Sequence, residues 1–175
     1  MRYRCRLLLA LLFCSSLSMA NNPKIVYGYV EKATLVDKNM ILSAKLDTGA
    51  KSASLSAKNI KEVKKSGKTY LQFTVLGKHE TMDFTAPYLG KVRIKVRSQE
   101  HSPLEKMEPI RRPVVLMRIQ IGDVVRDIAV NLTNRKRFNY PLLLGRDAII
   151  AFNGLVDPSQ AFLLRTENLK KNEVK

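Results

Sequence analysis

The apolar run Met40-Ile41-Leu42-Ser43-Ala44-Lys45-Leu46 ends directly in Asp47-Thr48-Gly49-Ala50, and this junction constrains the chain more than any other feature. A strand here delivers an aspartate into a tight turn. Thr48 can supply a hydroxyl that braces the turn from below. Gly49 lets the backbone come close to a partner and leaves amide hydrogens near the carboxylate. Peptide hydrolysis by aspartates needs one ionised carboxylate to activate water and one protonated carboxyl to donate to the scissile carbonyl. Two carboxylates about 3 Å apart cannot both ionise, so they share one proton and titrate as a unit. The motif occurs once, so either two chains combine or this chain does not cut peptides.

A second segment, Leu142-Leu143-Leu144-Gly145-Arg146-Asp147, follows about 100 residues later. Arg146 is expected to tie the Gly145 turn to neighbouring acids or to a dimer partner. Asp147 is expected to be the N-cap of a short helix starting at Ala148, because its side chain can accept an orphan amide there. The other acids that could complete a pair within one chain are Asp83, Asp123, Asp127 and Asp157. None sits in a Thr/Ser-Gly turn after an apolar strand, so symmetric pairing of Asp47 with its copy is favoured.

The first 20 residues read as a signal peptide. Arg2, Arg4 and Arg6 precede the apolar stretch Leu7 to Phe13, and Ser18-Met19-Ala20 is a small-x-small cleavage site. The stretch is too short to span a bilayer. Leu11-Leu12-Phe13-Cys14 weakly matches a lipid-attachment site, and the bulk of Phe13 argues against it. Both cysteines, Cys5 and Cys14, lie in this leader, which leaves no disulfide, thiolate nucleophile or Cys-ligated metal. Export without disulfides fits a periplasmic location. Residues 21–175 are enough for one domain with its own core. The full chain carries +16, and removing the three leader arginines leaves +13. That charge favours acidic partners, such as an anionic envelope component. No aromatic-interleaved basic stripe points to nucleic acid.

The mature chain reads as mostly β. Strands are expected at Ile25–Val30, continuing at Ala33–Val36, then at Ile41–Leu46, Ser52–Ala57, Tyr70–Leu76 and Val92–Val96. Val114–Ile121 and Val124–Leu132 form a hairpin turning at Gly122-Asp123. Leu142–Leu144 is a short buried strand, Ala148–Phe152 gives one or two helical turns, and Ala161–Leu164 is the last strand. Gln99–Arg112, with Pro103 and Pro109, reads as a long loop. The tail from Thr166 is polar and frayed. Many short, evenly spaced strands with one short helix near the C-terminus predict an all-β fold, a small closed barrel. The hairpin turning at Gly67 is a candidate flap over the site.

Other chemistries fare poorly. His79-Glu80-Thr81-Met82-Asp83 resembles a zinc-protease helix with its second histidine replaced. The chain holds two histidines, His79 and His101, against the roughly three protein ligands a zinc hydrolase needs. No metal or other cofactor is expected. There is no nucleophile elbow and no Gly-rich phosphate loop, so no ATP site is expected.

Several segments together resemble a bacterial family that carries the label ATP-dependent zinc protease and has a retropepsin-like aspartic peptidase fold. They are Gly28-Tyr29-Val30-Glu31, Ala44 through Ala57, Val96-Arg97-Ser98, Arg112-Pro113-Val114-Val115, Tyr140 through Ala148 and Val156-Asp157-Pro158-Ser159. Where family members usually have Leu-His-Ala, this chain has Leu55-Ser56-Ala57, which weakens the zinc label further. The family is often linked to ATP-grasp ligases that modify peptides with glutamate. The resemblance implies a retropepsin barrel with Asp47 as the catalytic position, Thr48, Gly49 and Ala50 supporting its loop, and the Gly145-Arg146-Asp147 turn behind it. The expected function is an aspartic endopeptidase of the bacterial envelope, active as a homodimer. The alternative is a non-catalytic binding module that uses its basic surface to hold an acidic envelope partner.

Overall fold

The computed structural model describes residues 23–94 and 110–164. The N-terminal strand β1 (Ile25–Leu35) is a run of β-branched and aromatic residues, and a 3-10 turn at Val36–Lys38 and Asn39 reverses the chain into β2 (Met40–Leu46). Along β2 the buried and outward positions alternate, so Met40, Leu42, Ala44 and Leu46 enter the core. After the Asp47 turn come β3 (Ala53–Lys65), β4 (Lys68–Leu76), β5 (Thr81–Ile94), β6 (Ile110–Ile121) and β7 (Val124–Thr133). The chain finishes with β8 (Leu142–Leu144), helix α1 (Arg146–Ala151) and β9 (Gly154–Ala161).

The nine strands form one sheet in the order β4-β5-β6-β7-β3-β8-β2-β1-β9, with extra pairings β3–β4 and β1–β6. Those two pairings close the sheet on itself, so the fold is all-β with a ring-like sheet and one short helix, as expected from the strand spacing. The core fills the interior. Tyr27 meets Phe152 edge-on at 6.2 Å, and Phe73 stacks with Phe84 at 6.2 Å. β9 runs parallel to β1 at the free edge of the sheet. Gly28 is required there, because a Cβ would lie 2.6 Å from the Gln160 carbonyl oxygen. Beside it the fully buried Glu31 carboxylate accepts the amides of Gly28 (2.7 Å), Leu163 (3.1 Å) and Leu164 (3.3 Å), locking the segment after β9 onto β1.

The structure departs from the sequence reading in several places, and β3 runs on to Lys65 where the strand was expected to end at Ala57. The final strand is Gly154–Ala161 rather than Ala161–Leu164, and Phe162, with φ of 55°, terminates it. β1 is continuous through Lys32, where two segments were expected. Thr81–Lys91 is strand despite Pro87, because Met82, Phe84 and Ala86 alternate inward against β4. Finally, Ile110–Arg112 belong to β6 and not to the long loop. The leader, Lys95 and Val96, most of the predicted loop and the polar tail lie outside the described residues. Among the described residues no helix is long and apolar enough to cross a membrane.

Candidate active site

Asp47 sits at the point where β2 leaves the sheet. Its amide still donates to the Leu144 carbonyl (2.8 Å), so β8 holds the last strand position before the turn. The turn itself closes through the Ala50 amide on the Asp47 carbonyl (3.2 Å). The half-buried Asp47 carboxylate accepts the Gly49 amide at 3.0 Å through Oδ1. That hydrogen bond fixes one oxygen and leaves the other open toward solvent or a partner.

The second segment lies directly behind this turn. Gly145 is buried where a Cβ would lie 2.6 Å from the Lys51 carbonyl oxygen and 2.7 Å from that of Ser52. Only glycine lets the two backbones touch so closely. The contact is then sealed by the Arg146 amide on Ala50 O (2.9 Å) and the Asp147 amide on Lys51 O (3.1 Å). The Arg146 guanidinium reaches across 98 residues of sequence to the Thr48 carbonyl (3.0 Å) and also meets the Gly49 carbonyl (3.3 Å). Arg146 therefore grips backbone carbonyls of the Asp47 turn, not the neighbouring acids that the sequence reading offered as partners. Asp147 is not the N-cap either. Gly145 occupies that position, in an extended conformation with no side-chain cap, and Asp147 lies exposed in the first helical turn. The helix begins two residues earlier than expected because the Gly145 backbone packs against Lys51 and Ser52.

All seven residues singled out from sequence, Asp47, Thr48, Gly49, Ala50, Gly145, Arg146 and Asp147, thus meet at one seam. Thr48 is exposed, and among the described residues its hydroxyl has no hydrogen-bond partner. Three of the other candidate acids are engaged elsewhere. Asp83 accepts the Thr74 hydroxyl (2.6 Å), and Asp157 is bound by Ser159. Asp127 pairs with Arg118 (3.0 Å), whose hydrogen bond holds its carboxyl below the usual range. Among the described residues no hydrogen bond joins Asp47 to another carboxylate, and no three His, Cys, Asp or Glu side chains gather as a metal site.

A cavity of about 990 Å³ opens beside the turn, lined by Gly49 to Ser52, by the ends of β5 and β6, and by the start of α1. The Gly67 turn does not border it. Sequence reasoning missed the polar side chains on its floor. Arg112 on β6 donates to Asn131 Oδ1 (3.4 Å), and Asn131 in turn donates to the Ala53 carbonyl and to Ser52 Oγ (3.4 Å). Arg135, buried after β7, donates to the Tyr140 carbonyl (3.1 Å), lies 4.4 Å from the Phe138 ring centre, and anchors its own amide on Ser56 Oγ (3.2 Å). Burial lowers the pKa of both guanidinium groups. The Arg112 charge pushes Arg135 further down, and the nearby Asp47 charge opposes it. Arg112 and Ser54 stood inside segments already noted for their family resemblance. Arg135 offered no signal, being one base in the polar run Asn134-Arg135-Lys136-Arg137.

Residues 26–167 match a family described as RimB-like, retropepsin-like aspartic endopeptidase RimB. The crystal structure of a Legionella pneumophila protein of unknown function superposes with a TM-score of 0.71 at 58% identity, covering 82% of this chain and all of that one. Two proteins named probable alpha-L-glutamate ligase are also similar. The one from Shewanella halifaxensis is 29% identical over 127 residues, 73% of this chain. The one from Shewanella pealeana is 29% identical over 123 residues, 70% of this chain. The chain spans about a quarter of these ligases, 27% and 26% of their lengths.

Proposed function

Because the chain belongs to the RimB-like family of retropepsin-like aspartic endopeptidases, we propose that it is an aspartic endopeptidase whose dyad forms from Asp47 of two identical chains. The observation that carries this reading is the Asp47 turn itself. A carboxylate is delivered by a strand buried on one face, held by one backbone amide at 3.0 Å, and backed by Gly145 and Arg146 from the far end of the chain. A loop held from behind by so many backbone contacts supports preorganised chemistry rather than a chance surface turn. In the dimer, one Asp47 would take a proton from water while its partner donates to the scissile carbonyl. The free Thr48 hydroxyl and exposed turn face would meet the second copy.

The substrates would be peptides or proteins of the bacterial envelope, reached through the leader at residues 1–20. No ATP, metal or nucleic acid enters this scheme. The ligase chemistry named in the Shewanella relatives would reside in the three quarters of those proteins outside the match. The rival reading, a non-catalytic module for an acidic envelope partner, rests on the +13 charge that remains when Arg2, Arg4 and Arg6 are taken from the full chain's +16, and on the single Asp-Thr-Gly motif.

The test is Asp47→Asn in the mature protein, assayed on a peptide library by mass spectrometry beside sedimentation of both forms. Loss of all cleavage, with a wild-type dimer retained, is expected. Full cleavage by Asp47→Asn, or cleavage by a strictly monomeric wild type, would overturn the assignment. Salt-sensitive binding unaffected by Asp47→Asn, with no cleavage by either form, would favour the binding module.

A further inference from the structure

We propose that the outward face of the β3–β4 hairpin docks on an anionic lipid bilayer. From Ala57 to Lys65, β3 pairs with β4 and with no other strand among the described residues, so it is a sheet edge there. Four exposed lysines share one face of this hairpin. Lys58 lies opposite Thr74, Lys61 opposite Gln72, and Lys65 opposite Lys68. Alternate residues of a strand share a face. The intervening Leu71, Phe73 and Val75 are in the core, so the lysine face points outward. A bulge creates the arrangement. The register shifts between Lys58 and Lys61, where Asn59 has φ of 55°. A regular strand would send two residues three apart to opposite faces, and the bulge turns both outward. The Asn59 side chain holds the bulge by donating to Thr74 Oγ1 (3.3 Å). Glu62, the one acid within residues 58–68, lies on the other face, opposite Leu71.

The charges on this face are uncompensated. Like charges directly opposite across a strand pair, as at Lys65 and Lys68, are destabilising. Among the described residues none of the four lysines has a carboxylate within ion-pair distance; the ion pair found there joins Arg118 to Asp127. Asp83 is the acid that the same face carries on β5, and it accepts the Thr74 hydroxyl. An apolar strip crosses the face between the lysines. Val63 lies opposite Tyr70, and Tyr70 lies opposite Pro87. An open recess of about 470 Å³ adjoins Lys68, Tyr70 and Pro87. This combination identifies the partner. Tyrosine, with an apolar body and a wet hydroxyl, suits a bilayer interface. Lysine lays its stem along apolar surface and keeps its ammonium in water. Every charge on the face is a lysine, a point charge without the fork that fixes an arginine to one phosphate, and that suits a fluid array of headgroups. A nucleic acid or an acidic polypeptide would use the charges and leave the strip bare, whereas a bilayer surface takes both. The Gly67 turn that ends the hairpin does not border the cavity beside Asp47, so the inference needs neither the peptidase reading nor its rival.

The experiment is cosedimentation of the mature protein with vesicles of equal parts phosphatidylglycerol and phosphatidylcholine, beside vesicles of phosphatidylcholine alone. Each lysine at an anionic surface contributes about fivefold, so replacing Lys58, Lys61, Lys65 and Lys68 together by Gln is expected to weaken binding about 100-fold or more. A control replaces four exposed cations elsewhere, Lys24, Lys38, Lys78 and Arg137, by Gln. It has the same net charge as the hairpin variant and should lose less than about tenfold, because charges far from the contact are screened. Tyr70→Ser should lose about fivefold through the apolar strip. Asp47→Asn should bind as the wild type does, which separates this face from the catalytic assignment. Urea midpoints accompany each variant, and the hairpin variant, which changes only exposed side chains, is the one that must fold. Vesicles that do not bind, equal binding to neutral vesicles, an equal loss in the two fourfold variants, or unchanged binding by Tyr70→Ser would overturn the proposal. So would a hairpin variant that binds as wild type and aggregates, which would leave the lysines as guards of the β3 edge. Preference for single-stranded RNA or a soluble acidic polypeptide over the vesicles would overturn it as well.

Discussion

Gly145→Ala is the sharpest probe of how the site is held. A methyl group at residue 145 would meet Lys51 O at 2.6 Å, about 0.8 Å inside the 3.4 Å at which ordinary contact begins, and the obstacle is backbone, not a side chain that can swing away. The seam between residues 50–52 and the start of α1 must open. Two backbone hydrogen bonds cross it, Arg146 to Ala50 and Asp147 to Lys51. Each contributes about 1 kcal/mol net, and overpacking of a tight backbone contact adds about 1–3 kcal/mol. Against this, alanine reduces the entropy of the unfolded chain, worth about 0.5 kcal/mol in its favour. The net loss is about 3 kcal/mol, which for a domain of this size lowers Tm by roughly 6–12 °C. The Asp47 turn moves with the seam, and a displacement near 1 Å can cost about 100-fold in rate. Urea unfolding gives the first quantity, and cleavage of a peptide identified in the Asp47→Asn experiment gives the second. A stability change under about 0.5 kcal/mol would refute the steric argument. Full stability loss with unchanged kcat would refute the link between Gly145 and the Asp47 turn.

Two further perturbations test the frame around the site. Glu31→Ala leaves three amides without their acceptor and should cost about 3–5 kcal/mol, with Glu31→Gln costing less because one oxygen remains; urea titration checks this, and a loss under about 1 kcal/mol would show that the Glu31 contacts do not matter. Tyr27→Phe removes the hydrogen bond to the Phe152 carbonyl (3.2 Å), about 1 kcal/mol at neutral pH. Burial raises the Tyr27 phenol above its ordinary value of 10.0, so the wild type keeps this contribution below pH 10 and loses it as pH rises beyond, where the unfolded phenol ionises first. The stability gap between wild type and Tyr27→Phe should therefore narrow above pH 10, and a constant gap would contradict the assignment.

The Asp47 turn was legible in sequence because it is local. An alternating strand, an aspartate and a glycine lie within a dozen consecutive residues, and each carries its own physical meaning. The Gly145 segment was legible for the same reason. What joins them was not. That Arg146 would choose the Thr48 and Gly49 carbonyls over an acid depends on a seam between residues nearly 100 apart. The helix N-cap failed for a related reason, since the Lys51 and Ser52 carbonyls, and not local capping chemistry, decide where α1 begins. β5 was partly missed because Pro87 signals a break, yet its position opposite Tyr70 tolerates a residue with no amide hydrogen. The last strand was misplaced because its residues are mostly exposed and include Asp157, Pro158 and Ser159. Its strand character comes from parallel pairing with β1, which composition does not encode. The buried Arg135 escaped because burial of a base is set by tertiary packing alone.

The support of Asp47 from Leu144 and Arg146 also orders events in time. A chain made from its N-terminus presents the aspartate long before the residues that shape its turn. The contacts that finish the site are among the longest-range in the molecule, as are those that join β1 to β9, and such contacts form late and slowly. A partly emerged chain would hold Asp47 in an unshaped loop, with no fixed amide on its carboxylate. Any hydrolytic capacity would therefore remain silent until residues 142–147 are in place, a delay that protects the chain from itself and from its neighbours during synthesis.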